Sequence, residues 1–267
     1  MSERLGVADL RTAAQRLALA GVASAEHDAR RLVEYAAMTG ADLDQLVERR
    51  AAREPLQHIV GSAGFRHLEL QVGPGVFVPR PETEVVVEAA LAAMAGLEDP
   101  VAVDLCAGSG AVGLSIAREH PTATVHLVER DPGAFEWLQR NAPDDPRVRL
   151  HLADAADALG ALDGTVDVVV SNPPYVAVDE RDLVDPEVRD HDPAMALWAG
   201  ADGLDVIRVV QQAAMRLLRP AGRFVVEHSD RQGETAPALL RDAGWCDVAD
   251  HLDLTGRPRF TTATKPC

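Results

Sequence analysis

Asn172-Pro173-Pro174-Tyr175 is the stretch of this sequence whose residue types can do chemistry together. Two successive prolines donate no backbone N–H, and each restricts its own φ and the residue before it. They impose a stiff, extended turn whose carbonyl oxygens stay free to accept hydrogen bonds. Asn172 adds an amide with donors and an acceptor, and Tyr175 adds a flat ring with a polar tip. The turn ends an apolar run, Val168-Val169-Val170, that reads as a buried strand. At the carboxyl edge of an α/β sheet, where ligands bind, these residues make a rigid cradle for a planar group bearing an NH2. The plain alternative is a Pro-Pro strand terminator with a solvated Asn.

A second signal lies upstream. Val101–Gly113, VAVDLCAGSGAVG, reads as a strand, a glycine-rich turn and a helix. Gly108, Gly110 and Gly113 satisfy G-x-G-x-x-G, and Glu129 closes the next strand about twenty residues on, placed to take both ribose hydroxyls of a nucleotide. The spacing alone fits NAD or S-adenosylmethionine. Asp104, at the strand end, favours the latter. A carboxylate there suits the amino group of an amino-acid-bearing cofactor, whereas a dinucleotide puts pyrophosphate at that point. The Asn-Pro-Pro-Tyr turn also has no role in hydride transfer. Asp154, ending the third strand, can reach an adenine amino group or simply cap the turn that follows.

The elements that must position these residues are legible as periodicity. Residues 1–60 read as three short amphipathic helices, with Gly21 and Gly40 as stops and Ser24 and Asp42 as caps. Pro55 breaks the pattern. Over 61–80 the period becomes two, and Gly73-Pro74-Gly75 between apolar alternations suggests a β-hairpin linker. Residues 81–267 alternate strands, at about 101–105, 124–129, 148–152, 166–171 and 222–228, with helices. This predicts an α/β, doubly wound, Rossmann-like sheet of seven strands, the last two (247–254 and 259–264) antiparallel. The segment 177–201 is long, acidic and without pattern. It leaves directly from the cradle, so it is expected as a loop walling the substrate site.

Composition narrows the class. The 267 residues are 47% hydrophobic, enough for a real core, and no stretch approaches the length of a membrane span. The three cysteines, Cys106, Cys246 and Cys267, lack metal or disulfide spacing, so no metal is expected and the cytoplasm is the expected location. A net charge of −16 counts against nucleic acid as a direct partner. A monomer is the default expectation.

Five stretches together resemble a known family: Glu54–Gly61, Val78–Glu84, Asp104–Gly110, Ser171–Val176 and Asp253–Arg257. In type and order they are similar to the protein-(glutamine-N5) methyltransferases that modify the Gly-Gly-Gln motif of bacterial class I peptide-chain release factors. The resemblance implies a class I S-adenosylmethionine-dependent methyltransferase domain behind a helical domain that helps hold the release factor. It implies that Asp104, Cys106, Ala107, Gly108, Ser109, Gly110, Glu129, Asp154, Ala155 and Asn172 contact S-adenosylmethionine, with S-adenosylhomocysteine as product. It also implies that Asn172, Pro173, Pro174 and Tyr175 hold the glutamine, with Asn172, Pro173 and Tyr175 carrying catalysis. Two positions depart from the family pattern: Ala155 stands where an aromatic often covers the adenine, and Glu129 replaces the commoner Asp.

An amide nitrogen is a poor nucleophile, because its lone pair is delocalised into the carbonyl. If the Asn172 side-chain oxygen and the Pro173 carbonyl each accept one amide N–H, the nitrogen is fixed facing the methyl group, and charge developing on it is stabilised by oriented dipoles. Tyr175 would pack on the amide plane. No base is needed before the methyl moves, so His191 and His228 are expected to be surface or structural, Arg80 and Glu82 to form a salt bridge or gate, and Glu227 to brace. The rivals are a nucleic-acid base methyltransferase, since an exocyclic adenine amine is also a planar NH2, a non-catalytic binding protein and a dehydrogenase.

Overall fold

The computed structural model describes residues 6–267. Four helices come first: α1 (Val7–Leu19), α2 (Ala25–Thr39), α3 (Leu43–Ala51) and α4 (Leu56–Val60). Leu17, Leu32, Val47 and Ile59 meet in a core of their own. Asp42 caps α3 by accepting from the Asp44 N–H at 2.9 Å, and Gly40 ends α2 in the left-handed region. Ser24 does open α2, but its hydroxyl donates to Asp28 rather than capping the helix backbone. The fourth helix restarts after Pro55, too short at five residues to show a period.

A buried ion pair crosses this bundle. Asp28 and Arg50 are both almost fully buried and meet at 2.7 Å. The Arg50 guanidinium reaches on to Glu187 at 2.8 Å, and Arg53 meets the same carboxylate at 2.9 Å.

The hairpin is real but turns elsewhere than the sequence suggests. Strands β1 (Ser62–Phe65) and β2 (Leu68–Gln71) pair antiparallel, and the chain reverses at Arg66-His67. Arg66 sits at φ 49° and is clamped: its N–H donates to Glu84 and its guanidinium to Glu119. Gly73-Pro74-Gly75 is a separate loop against Trp137. A Cβ on Gly73 would lie 2.7 Å from that indole, whose N–H donates to the Pro74 carbonyl. The apolar side chains of the hairpin, Phe65 and Leu70, join the core beneath α5 (Glu84–Ala93), α6 (Ala111–Glu119) and α7 (Pro132–Asn141).

The main sheet has seven strands: β3 (Val101–Leu105), β4 (Thr124–Glu129), β5 (Val148–Leu152), β6 (Val166–Ser171), β7 (Leu218–Glu227), β8 (Cys246–Leu252) and β9 (Pro258–Thr264). Their order is β5-β4-β3-β6-β7-β9-β8, parallel through β7, with β9 antiparallel to both neighbours. Alternation sorts the side chains into two cores. Ala102, Val168, Val170 and Val225 face α5, α6 and α7. Val103, Leu105, Val169 and Phe224 face α10 (Asp205–Leu217) and α11 (Thr235–Asp242). Burial on both faces explains why the strands read as continuous apolar runs.

Residues 177–201 are not structureless. They form a 3-10 turn over Val178–Leu183, then α8 (Pro186–His191) and α9 (Ala194–Leu197). Asp185 caps α8 by accepting from the Glu187 N–H at 3.0 Å, with Pro186 in the first turn. Among the described residues no helix is long and apolar enough to cross a membrane.

Removing one partner of the buried pair leaves an uncompensated charge. Arg50→Leu is therefore expected to lower unfolding free energy by about 3–5 kcal/mol. Urea denaturation followed by far-UV circular dichroism measures this, and an unchanged midpoint would refute the role of the pair.

Candidate active site

The strand order reverses between β3 and β6, because the crossovers from these two strands run to opposite sides. Their carboxyl ends splay apart into a crevice. A cavity of about 500 Å³ opens there, in the range of small-ligand sites. Successive strand ends deliver polar groups to its walls: Asp104 from β3, Glu129 from β4, Asp154 after β5 and Asn172 after β6. The Ser171 hydroxyl donates to the Leu105 carbonyl at 2.6 Å and ties the two central strand ends together.

Asp104 is 1% exposed. Its Oδ2 accepts from the Gly113 N–H at 2.8 Å, while Oδ1 is buried without a hydrogen-bond partner. Burial pushes this carboxyl up to about 7, with nearby Glu129 adding to the rise and the Gly113 N–H opposing it. Glu129 accepts from the Gly108 N–H at 2.9 Å and from the Asp131 N–H at 2.7 Å, so the second strand end holds the glycine turn of the first. Cys106 lines the cavity at φ 65°, and burial pushes its thiol up to about 12, which leaves it an inert wall.

Ala107, Gly108 and Ser109 also line the cavity. Gly110 does not. It is left-handed at φ 90°, and a Cβ there would lie 2.6 Å from Leu138 and 2.7 Å from Leu114. Its need for glycine is explained by backbone conformation and helix packing. Asp154 lines the rim, accepting from the Ala156 N–H at 3.0 Å, and Arg130 stands 3.7 Å away. Ala155 lies beside it in the wall.

The cradle is more tightly held than the sequence suggests. Asn172 Nδ2 donates to the Thr83 hydroxyl oxygen at 3.2 Å, which leaves Oδ1 as the free acceptor. Thr83 ends a 3-10 turn over Pro81–Thr83 and is itself a cavity residue, one that sequence reasoning missed. Pro173 and Pro174 line the cavity, as does Tyr175. The Tyr175 hydroxyl donates to Glu227 Oε1 at 3.2 Å, so the ring is pinned by its tip. Burial, with the Glu227 charge next, holds this phenol far above its ordinary range.

Of the remaining candidates, Arg80 lines the cavity, stacks 5.0 Å from the Phe77 ring centroid and pairs with Asp192 at 2.6 Å. Glu82 lines the cavity too. His228 is buried away from it, with Nδ1 2.9 Å from the Ser229 carbonyl and Nε2 3.0 Å from Asp250. The segment after the cradle supplies Val188, Pro193, Met195 and Leu197 to the wall.

This wall fits S-adenosylmethionine. An unpartnered buried carboxylate oxygen at Asp104 suits an ammonium group. Glu129 retains lone pairs for hydroxyls. Around them the lining is mostly apolar.

A model of the methyltransferase small domain matches residues 69–185. A release factor glutamine methyltransferase of Streptomyces coelicolor is 51% identical over 97% of this chain and 98% of its own length. A 4-amino-L-phenylalanine/4-methylamino-L-phenylalanine methyltransferase of Streptomyces pristinaespiralis is 43% identical over 74% of this chain and 69% of its own. A methyltransferase structure from Pyrococcus furiosus aligns at a TM-score of 0.52 with 19% identity, over 75% of this chain and 90% of that one, a likeness of fold alone. With such identity to the Streptomyces coelicolor protein along nearly the whole of both chains, this chain belongs to the release factor glutamine methyltransferase family, enzymes dependent on S-adenosylmethionine.

Proposed function

We propose that this enzyme methylates the side-chain amide nitrogen, N5, of the glutamine in the Gly-Gly-Gln motif of class I peptide-chain release factors, and so supports translation termination. The observation that carries this reading is the fixed orientation of Asn172, whose Nδ2 is committed to Thr83 and whose Oδ1 is left to accept. A primary amide needs acceptors for its two N–H groups, and the Asn172 Oδ1 and the Pro173 carbonyl are a matched pair on one rigid turn.

S-adenosylmethionine, when bound, supplies an electrophilic methyl group and leaves as S-adenosylhomocysteine. Asp104, Glu129 and Asp154 are the residues proposed to hold its amino-acid, ribose and adenine parts, with Cys106–Ser109 and Ala155 as walls. Asn172 and Pro173 draw on the two amide N–H groups, turn the nitrogen lone pair toward the incoming methyl and stabilise the positive charge that develops. Pro174 keeps the turn stiff, and Tyr175 covers the amide plane. The nitrogen becomes acidic only as it is alkylated, so no base has to act first. The helical bundle of residues 7–60 is the proposed dock for the release factor. We read the enzyme as a cytoplasmic monomer whose direct partner is protein, not nucleic acid or membrane.

The deciding experiment is transfer of labelled methyl to purified release factor, with a Gln→Ala change in its Gly-Gly-Gln motif as control. Label on the wild-type factor that vanishes in the control supports the reading. Label on adenine-containing nucleic acid or on 4-amino-L-phenylalanine, with none on the factor, overturns it. Asn172→Ala is expected to cut turnover by about 10²-fold or more while cofactor affinity stays nearly intact. Retained turnover would remove the cradle from the mechanism.

Cofactor binding is expected to depend on pH through Asp104. A carboxyl raised to about 7 is ionised above that pH and neutral below it, so affinity for a cationic amino group weakens as pH falls through about 7. The same shift opposes folding in the other direction: the folded chain keeps a proton that the unfolded chain releases near 3.8, so this group withdraws stability as pH rises from there to about 7. Calorimetric titration of S-adenosylmethionine against pH checks the first statement. Asp104→Asn is expected to bind weakly and without that dependence, and an unchanged affinity would reject the assignment.

A further inference from the structure

Glu227 ends β7 at 1% exposure, directly behind the cradle and outside the cavity wall. A buried carboxyl is unfavourable to keep, and this one makes contacts that explain its position. Its Oε1 accepts from the Tyr175 hydroxyl at 3.2 Å. Its Oε2 is buried with no hydrogen-bond partner, and the nearby Thr83 hydroxyl favours the charged form. Thr83 has already accepted from Asn172 Nδ2, so its own proton is free to point toward Glu227. Tyr175 is therefore tied to this carboxyl directly, while Asn172 is tied to Thr83 beside it.

We propose, on the reading of the site given above, that Glu227 is the positioning residue of methyl transfer: its carboxylate fixes the Tyr175 ring by its hydroxyl, beside the Thr83 that holds the Asn172 amide. Glu227 never touches the substrate. It sets the tilt of the Tyr175 ring that does. The ionised form accepts from the Tyr175 hydroxyl as a charge-assisted bond. The protonated form is neutral and a weaker acceptor, so the bond that pins the Tyr175 ring loosens.

The groups facing Glu227 decide which form is present. Arg259 from β9 and the Thr83 and Tyr175 hydroxyls favour the carboxylate, while Glu82 disfavours it. Burial outweighs them and raises the carboxyl to about 7. His228, next in the chain, turns its ring nitrogens to Ser229 and Asp250. The cradle is therefore held firmly above about pH 7 and relaxes as pH falls through it.

The test uses the chain's tyrosines as reporters, because there are only two, Tyr35 and Tyr175. Protein carrying 13Cζ-tyrosine gives two phenol resonances, and the one that Tyr175→Phe removes belongs to Tyr175. Between about pH 5 and about pH 9 that resonance is expected to shift with a midpoint near 7, and to be flat in Glu227→Gln. Asp104 titrates in the same range but is intact in Glu227→Gln, so a shift that persists in this variant overturns the proposal. In methyl transfer to release factor, Glu227→Ala is expected to lower kcat by about tenfold, with cofactor affinity held. Glu227→Gln, which keeps an acceptor, is expected to fall between it and wild type and to lose the acid limb of the kcat profile. Equal kcat and equal pH profiles in all three proteins would overturn the proposal, as would a Tyr175 resonance blind to pH in the wild type. If the wild type methylates no release factor, the functional reading fails by itself, and the resonance arm, which needs no acceptor, still decides the role of Glu227. Should Glu227→Ala not fold, Glu227→Gln and the wild-type titration suffice.

Discussion

The pairing of β3 with β6 is the contact on which the site depends. These strands are the centre of the parallel sheet, register Leu105 against Ser171, and are locked at their ends by the Ser171 hydroxyl on the Leu105 carbonyl. Helices leave them on opposite sides, so nothing fills the space above. Each neighbouring strand then ends at the same level and contributes one polar residue. The polar cavity wall and the Asn-Pro-Pro-Tyr turn beside it are consequences of strand order before they are consequences of any particular side chain.

What the side chains add is a pattern of buried acids. Asp104 and Glu227 flank the crevice at the ends of β3 and β7, both 1% exposed and both raised to about 7 by burial. Each has one oxygen bonded and one without a partner. Carboxyls placed this way reduce stability as pH rises toward neutrality, and a fold selected for stability alone would replace them by apolar groups. The Cys106 thiol between Asp104 and the glycine turn is kept protonated by the same burial, which removes a competing nucleophile from a site built around an electrophile.

The sheet was legible in the sequence because strands buried on both faces are unbroken apolar runs, and glycine, proline and acidic residues mark their ends. The strand-end site residues were legible for the same reason. The hairpin turn was misjudged at Gly73-Pro74-Gly75, since the bonds that hold Arg66 in a left-handed turn come from Glu84 and Glu119, far along the chain. Residues 177–201 hid α8 and α9 because helices of six and four residues are too short to repeat the helical period. The local signal there was Asp185-Pro186, a cap followed by a first-turn proline. Thr83 was invisible for another reason: its role exists only where it meets Asn172, 89 residues away.

That same segment joins the helical bundle to the cavity. Glu187, in the first turn of α8, receives Arg50 and Arg53 from the bundle side. The next residue, Val188, lines the cavity, and past the helix end Asp192 pairs with Arg80, which lines it too. Arg50 is itself fixed by Asp28 inside the bundle. Two sets of charged contacts therefore hold the two ends of this short helix, one to the bundle and one to the cavity wall, with Glu187 and Asp192 both largely sheltered from solvent. Sheltered pairs are weakly screened and geometrically demanding, unlike surface pairs. A helix of six residues has little stability of its own, so α8 takes its place from these contacts, and the shape of the substrate wall is set in part by where the bundle sits.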